Sequence, residues 1–536
     1  MTNKVDEKME VLWSDSVADR VLERKKKEFV VEGMWSPSGY FHIGNARPEI
    51  FTPYSVKRSM EEKKIKVQQN FIIDDFDAIR KIPNGLGIPE ADHSKYLGIA
   101  YALAPSPVKG FSSWAEFFVS DVRAHVEAFG VELNVISAFE SYKKGLFNDL
   151  ILFTLEHAKD ITRVWMRVAG SKKAEDFVPV QVVCESCKRM LSTKVTGWDG
   201  KKVSYGCDAC KHSGAVSPLN GNAKLHWRVH WVAHWILHKV DFESAGKDHF
   251  SRGGSVDVGQ ALMREVFHVE PPIQVLTEFL QLSESGEKMS GSKGNVVNLG
   301  AWLYVASPEL FRFMYFSYKP RTVIEFGFGD FFVLLNDRFE HAARMHYGVE
   351  PCKTDADLIL KRAFAYSLID PYSTMFKDLP PFPALAMIGQ LVDATRFDES
   401  AWELGVQMQC IAPRVKAVQK SFFLERVRRA RSWAELYAPP SMRVAFLPAL
   451  PEPFSLSSDL RAAFLELVSV LEKRPSAEDI QLAVYNAAKS RGIAPKDLFK
   501  ALYAALIGRD AGPRMHWLVL GLGVDRVIAR LREAVL

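Results

Sequence analysis

Between Ser14 and Lys27 the apolar residues Val17, Val21 and Leu22 fall at helical spacing among charges. Phe29, Val30 and Val31 then stand side by side, so Glu28 to Met34 predicts a strand, broken by Ser36-Pro37-Ser38-Gly39. A helix is expected from near Ile43 to about Lys64. A second apolar run, Ile65 to Ile73, ends at Asp74-Asp75. Strand, turn, helix, strand is how a doubly wound parallel α/β domain opens. Residues 96–222 break the rhythm with Pro105-Ser106-Pro107, mixed helices and paired cysteines, and predict an insertion between two halves of the sheet domain. Strand-and-helix patterning resumes near Asp241 and at Ile273 to Leu282. Beyond about Pro351 the pattern is helical, as in Leu358 to Tyr366, Ala462 to Leu471, Ile480 to Ser490 and Lys496 to Ile507. The expected organisation is a first half-sheet over 1–95, the insertion over 96–222, the second half over 223–300, a linker over 301–350 and an all-α domain over 351–536.

Composition changes this picture little. With 48% hydrophobic and 25% charged residues, the 536-residue chain reads as an ordinary soluble protein of several domains. No apolar run approaches the roughly 18 residues of a membrane span, and Met1 to Glu10 lacks a signal-peptide core, so a cytoplasmic location is expected. A net charge of +5 does not by itself indicate a nucleic-acid partner. The clustering says more: Arg414, Lys416, Lys420, Arg426, Arg428, Arg429 and Arg431 face one acid, Glu425. A solvated helix face and an RNA-backbone contact both fit such a run.

Four of the six cysteines form two tight pairs, Cys184-x-x-Cys187 and Cys207-x-x-Cys210, with 19 residues between the pairs. This is the spacing of a Cys₄ zinc site rather than of a disulfide framework. A closed four-thiolate shell leaves no position for water, so the zinc would be structural.

Two further segments carry chemistry. Pro37-Ser38-Gly39-Tyr40-Phe41-His42-Ile43-Gly44-Asn45 lies between a predicted strand and helix, where unpaired N–H groups can meet an anion. His42 and Asn45 share a helix face, and both can donate to phosphate oxygens. Glu287-Lys288-Met289-Ser290-Gly291-Ser292-Lys293-Gly294-Asn295 is a small-residue loop that could carry Lys288 to a polyphosphate. A capped helix and a flexible polar loop are the plain alternatives for the two segments taken singly. Gly246-Lys247-Asp248-His249, followed by Gly253-Gly254-Ser255, is a third candidate wall, or a glycine-rich loop with a salt-bridged Asp248.

Taken together, His42 to Asn45 and Lys288 to Ser292, about 245 residues apart, resemble the paired signature motifs of class I aminoacyl-tRNA synthetases. Three stretches resemble the class I lysine family: Asp74 to Pro83, Leu225-His226-Trp227-Arg228-Val229-His230-Trp231, and Gly246 to Ser255. The resemblance implies a Rossmann-like catalytic domain, L-lysine, ATP with Mg²⁺ and tRNA(Lys) as partners, and a helical anticodon-binding domain. It implies attack of the lysine carboxylate on the α-phosphate, then transfer of lysine to the tRNA 3′ end, with activation that can require bound tRNA. His42, Asn45 and Lys288 become the expected catalytic residues. Pro37, Ser38, Gly39, Gly44, Asp248, Met289, Ser290 and Ser292 join them as ATP contacts. Gly33, Ser36, Trp227, His249 and Glu278 are the expected lysine contacts, Glu278 as the ammonium partner. A monomer is expected. The sequence departs from the family at Gly291, where many relatives carry a second lysine that Lys293 could replace, and at Gly33 to Ser36, with one extra residue and Ser for Thr. A glutamate-type class I enzyme, marked by an arginine-lined pocket, and a related nucleotidyltransferase are the rival readings.

Overall fold

The computed structural model describes residues 12–170, 177–283, 286–291, 293–370 and 373–536. Its central feature is a five-stranded, wholly parallel sheet. The strands are β1 (Glu28–Trp35), β2 (Lys66–Ile73), β3 (Asn134–Ser137), β4 (Phe242–Gly246) and β5 (Ile273–Thr277), in the order β5-β4-β1-β2-β3. β1 and β2 read as near-continuous apolar runs because helices cover both faces of such a sheet. The strand order reverses between β1 and β4. The crevice at the carboxyl ends of those two strands is where a sheet of this topology receives ligands.

The connection from β1 to β2 is not one regular helix. Ile43–Ala46 and Thr52–Glu62 are α-helical, and a π-helical turn, Arg47–Phe51, lies between them. Pro48 opens this turn and withholds a backbone donor. Single π-turns inside helices concentrate at functional sites. Gly33 of β1 is required here, since a Cβ on it would lie 2.0 Å from the Glu49 carbonyl oxygen. The turn therefore packs directly on the strand backbone.

Residues 96–222 are not a single insertion. β3 pairs in parallel with β2, Asn70 opposite Asn134, and forms an edge of the central sheet. Only four residues long and half exposed, it carries too little apolar pattern to announce itself. The remainder of that region builds small antiparallel sheets, including Thr193–Trp198, Val203–Cys207 and Ser213–Val216. The buried Lys224 donates to Asp74 at 2.7 Å and to Asp77, tying the strand Ala223–Leu225 to the segment after β2. Asp75 accepts from Ser137 Oγ and the Phe139 amide, which fixes the end of β3.

The contacts divide the chain into two compact units. One holds most of the chain up to Ala301, with Arg312–Phe326 and Arg362–Ile369; the other holds Trp302–Phe311, Gly327–Lys361 and Asp370–Leu536. The stretch 301–350 is thus no separate linker, because its halves contribute to different cores. The helix Asp355–Ser367 also crosses the expected boundary: Arg362 pairs with Asp15 at 2.8 Å and Glu62 at 2.9 Å in the sheet-bearing unit. The second unit is helical, as the pattern predicts. Five of the seven cations of its basic run, Lys420 to Arg431, lie on the helix Ala417–Tyr437, and the four arginines among them are paired within the unit. Arg426 pairs with buried Glu340, Arg428 with Asp398, Arg429 with Glu425 and Arg431 with Glu435. Phe423 and Trp433 of the same helix are buried core. No described helix is long and apolar enough to cross a membrane.

Candidate active site

A cavity of about 290 Å³ opens at the switch point of the sheet. Four separate regions build it: residues between Trp35 and Glu49 at the end of β1 and beyond, Lys81 beyond β2, Gly246, Asp248 and His249 at the end of β4, and Thr277 to Leu280 with Lys288 to Gly291 at the end of β5 and beyond. Of the expected site residues, Ser38, Gly39, His42, Gly44, Asn45, Asp248, His249, Glu278, Lys288, Met289 and Ser290 all line it. Ser292 lies outside the described residues.

Four expected contacts do not border the cavity. Gly33 meets the π-turn backbone instead. The Ser36 carbonyl closes a tight turn by accepting from the Ser38 amide at 2.7 Å, and the Pro37 carbonyl accepts from Trp114 Nε1 at 3.1 Å. Trp227 stands behind the wall, its ring 5.9 Å from that of His249. Sequence proximity to a motif does not separate groups that face the ligand from groups that shape the loop.

His42 is 5% exposed. Burial, reinforced by the nearby Lys288 charge, pushes its imidazole down to about 3, so the ring is neutral at physiological pH. Its Nδ1 has no hydrogen-bond partner among the described residues. A Cβ on Gly44 would lie 2.9 Å from this ring, so glycine there lets the imidazole lie against the helix start.

Lys288 sits in an antiparallel bridge with Gln281. Its ammonium lies 3.2 Å from Asp248 Oδ2 and 3.4 Å from the centre of the Phe279 ring. The loop beyond is folded on Asn295, whose Oδ1 accepts from the Ser290 amide at 3.0 Å. Gly291 packs on the first motif: a Cβ there would stand 2.3 Å from the Tyr40 carbonyl oxygen. In this arrangement no lysine fits at position 291. Lys293 pairs with Glu287 at 3.5 Å rather than joining the cavity wall. Glu278 is paired as well, with Lys247 at 2.8 Å. Arg47, buried beneath, donates to the carbonyls of Glu278, Lys319 and Thr322 and so holds this wall in place.

Glu49 was missed from sequence. It lies in the π-turn, borders the cavity, and accepts from the Met34 amide at 3.0 Å. Its spacing from His42 and Asn45, at i, i+3 and i+7, is a same-face helical signal that could have found it. Lys81, from the Asp74 to Pro83 stretch, was also missed; it has no carboxylate partner among the described residues.

The cysteine pairs converge as expected. All four Sγ atoms lie within 4.8 Å of one another, with Cys184–Cys210 at 3.6 Å and Cys187–Cys207 at 3.7 Å. Four thiolates about 2.3 Å from a tetrahedral zinc stand roughly 3.8 Å apart, so the set fits that ion. The two turns are alike. Lys188 and Lys211, each just after a pair, adopt φ of 61°, and their amides donate to the Cys184 and Cys207 carbonyls at 2.9 Å. Burial works against ionisation of Cys207, but hydrogen bonds from Ser192 and from the Cys210 and Ala209 amides outweigh it and bring the thiol down to about 6.

A family model described as tRNA synthetases class I (K) matches residues 11–368, and one described as an anticodon binding domain matches residues 454–535. The lysine--tRNA ligase of Pyrococcus horikoshii is 33% identical over 97% of this chain and 99% of its own. That of Thermococcus kodakarensis is 32% identical over the same shares. Among solved structures, the glutamate-tRNA synthetase of Elizabethkingia anophelis covers 95% of this chain and 99% of its own, at 12% identity and a TM-score of 0.39. With a switch-point cavity that gathers both signature segments, and a family match over two thirds of its length, the chain belongs to the class I tRNA synthetases (K).

Proposed function

We propose that this enzyme is a lysine--tRNA ligase that activates L-lysine with Mg²⁺-ATP and transfers it to the 3′ end of tRNA(Lys) in the cytoplasm. The observation that carries the reading is the convergence of His42, Asn45 and Lys288 on one cavity in a chain that matches lysine--tRNA ligases along nearly its whole length. The rival glutamate-type reading calls for arginine around the substrate carboxylate, and no arginine lines this cavity among the described residues.

ATP lies with its phosphates between the start of the helix at Ile43 and the Lys288 loop. His42, neutral, donates a hydrogen bond to a phosphate oxygen without adding charge, and Asn45 supports it on the same face. Lys288 leaves Asp248 when the triphosphate enters and follows the charge that develops as pyrophosphate departs. Lys81 is the further cation of the wall, in the role that a lysine at 291 cannot fill here. Asp248, freed, is placed to accept from a ribose hydroxyl. No covalent intermediate on the protein is needed; holding carboxylate and α-phosphate in line supplies the catalysis. Cys184, Cys187, Cys207 and Cys210 hold a structural zinc, and residues 454–535 contact the anticodon.

Aminoacylation of total tRNA with a panel of labelled amino acids tests the assignment. Lysine alone should be incorporated, with ATP–pyrophosphate exchange in the presence of tRNA. Charging with glutamate would overturn it.

A further inference from the structure

Two lysines line the cavity. Lys288 is held by Asp248, whereas Lys81 has no carboxylate partner among the described residues. The position of Lys81 is therefore set by its backbone. The segment that carries it leaves β2 at Asp74 and enters no helix. A ladder of backbone bonds holds it instead. Ile79, two residues before Lys81, accepts from the Gly98 amide at 2.8 Å, and its own amide donates to the Ile99 carbonyl at 2.9 Å. The carbonyls of Asp75 and Asp77 accept from the amides of Ala102 and Tyr101. Beyond Lys81 the segment reaches the Lys288 loop: a Cβ on Gly294 would stand 3.7 Å from the Asn84 carbonyl oxygen.

The far edge of this ladder belongs to the cysteine module. Ile99 forms an antiparallel bridge with Arg189, and the Met190 amide donates to the Gly98 carbonyl at 2.7 Å. Gly98, at a φ of 82° that glycine adopts without strain, thus joins Met190 to Ile79. Arg189 adds its side chain. Its Nη2 donates to the Ser94 carbonyl at 2.7 Å and its Nε to the Leu97 carbonyl at 3.2 Å. Ser94 lies in the last turn of the 3₁₀ helix Glu90–Lys95, where carbonyls without a partner in the helix favour a cation. Arg189 is itself set by the first cysteine turn, since its carbonyl accepts from the Cys184 amide at 3.0 Å. The module grips the segment a second time. The strand Val180–Val182, just before Cys184, pairs with Ala223–Leu225, and Lys224 of that strand is fixed by Asp74 and Asp77.

Resting on the place given to Lys81 in the lysine reading above, we infer that Arg189 is a positioning residue for the triphosphate. By clamping the turn at Ser94 and Leu97 it makes the cysteine module the support that aims Lys81 into the cavity. A segment without regular structure needs such support, because its conformational entropy opposes a fixed position. Closing the four-thiolate shell fixes Cys184, and through it Arg189 and the ladder that ends at the cation.

The test is ATP–pyrophosphate exchange by the full-length enzyme with tRNA. Arg189→Ala should lower kcat/KM for ATP by about tenfold, with the KM for lysine little changed. By elemental analysis its zinc content should equal that of the natural enzyme. Val203–Cys207 should keep their amide-exchange protection, whereas the Ile79 and Gly98 amides should lose it. Lys81→Ala should lower kcat/KM for ATP by about a hundredfold. Adding Arg189→Ala to that variant should cost nothing further, because the guanidinium acts only through the cation. Losses that multiply in the double variant would overturn the inference, as would natural ATP kinetics in Arg189→Ala. A crystal structure of the unaltered enzyme with a non-hydrolysable ATP analogue tests it without any variant. Lys81 Nζ should lie roughly 3 Å from a phosphate oxygen while Arg189 keeps both carbonyls, and a Lys81 turned away from the nucleotide would overturn it. An unchanged rate in Lys81→Ala would remove the inference together with the role of Lys81. Failure of the natural enzyme to activate lysine at all is the separate outcome that would remove the assignment beneath both.

Discussion

The two best-marked sites of this chain, the cysteine cluster and the switch-point cavity, are built on opposite plans. The cluster is made twice from one local unit: a Cys-x-x-Cys turn, a lysine at φ 61° and a backbone hydrogen bond back to the first cysteine. Its four sulfurs face each other and only need a metal. The cavity is assembled from segments as distant as His42 and Lys288, and its cations are held by its own acids: Lys288 on Asp248 and Lys247 on Glu278. A site closed by local geometry is complete before its ligand arrives. In the reading proposed above, the cavity keeps Lys288 in a provisional pair with Asp248, which the triphosphate replaces.

Cys184→Ser should bring the largest change. A structural zinc is worth on the order of 10 kcal/mol or more to a small module. The variant should lose its metal to a mild chelator, measured by elemental analysis, and Val203–Cys207 with its partner strands should lose amide-exchange protection. A full metal complement would show that the thiolates do not form one shell.

Lys288→Ala probes the exchangeable pairs. Loss of a donor aimed at developing charge costs about 3–4 kcal/mol, or roughly a hundredfold to a thousandfold in rate. Single-turnover adenylation should slow by that factor while the lysine KM changes little. An unchanged rate would make the Lys288–Asp248 contact a static ion pair.

The smallest effect concerns the helix Trp227–His238, which follows the zinc region in sequence and backs the cavity, Trp231 lying 5.3 Å from the His249 ring. His234 on that helix is fully buried, and neither ring nitrogen has a partner among the described residues. Burial, then the nearby His230, His238 and Lys224, holds its pKa far below the ordinary 6.5. The unfolded chain takes up a proton as pH drops through about 6.5 and the folded one does not, so this residue makes stability fall with falling pH. Buried Glu32, Glu49 and Glu243 act in the opposite sense, because the folded state keeps their protons. His234→Phe should therefore lose about 2 kcal/mol less than the natural protein between pH 7 and pH 5, read from urea unfolding. Parallel pH curves would mean that the imidazole is charged in the fold.

How much of this was legible beforehand follows the same division. The cysteine cluster could be located from spacing because a turn of four residues fixes its own geometry. His42, Asn45 and Lys288 could be named because each sits at an element boundary with marked composition. Gly33, Ser36, Pro37 and Trp227 were expected at the ligand, and the structure sets them beside the cavity rather than on its lining. Glu49 and Lys81 went unseen because a π-turn and a long connection carry them into the cavity. Strand β3 was hidden because a four-residue edge strand has no face to pattern.

By itself the chain's order of residues determined the parallel sheet, the helical second unit, the cysteine cluster and the two segments that meet at the cavity, since each rests on local periodicity or short spacing. Only the folded structure decided which acids are already neutralised and which are not. Glu278 and Glu49 are both glutamates beside a motif. One has a lysine within 2.8 Å and the other a backbone amide. Electrostatics depends on distance through space, and distance along a chain does not report it.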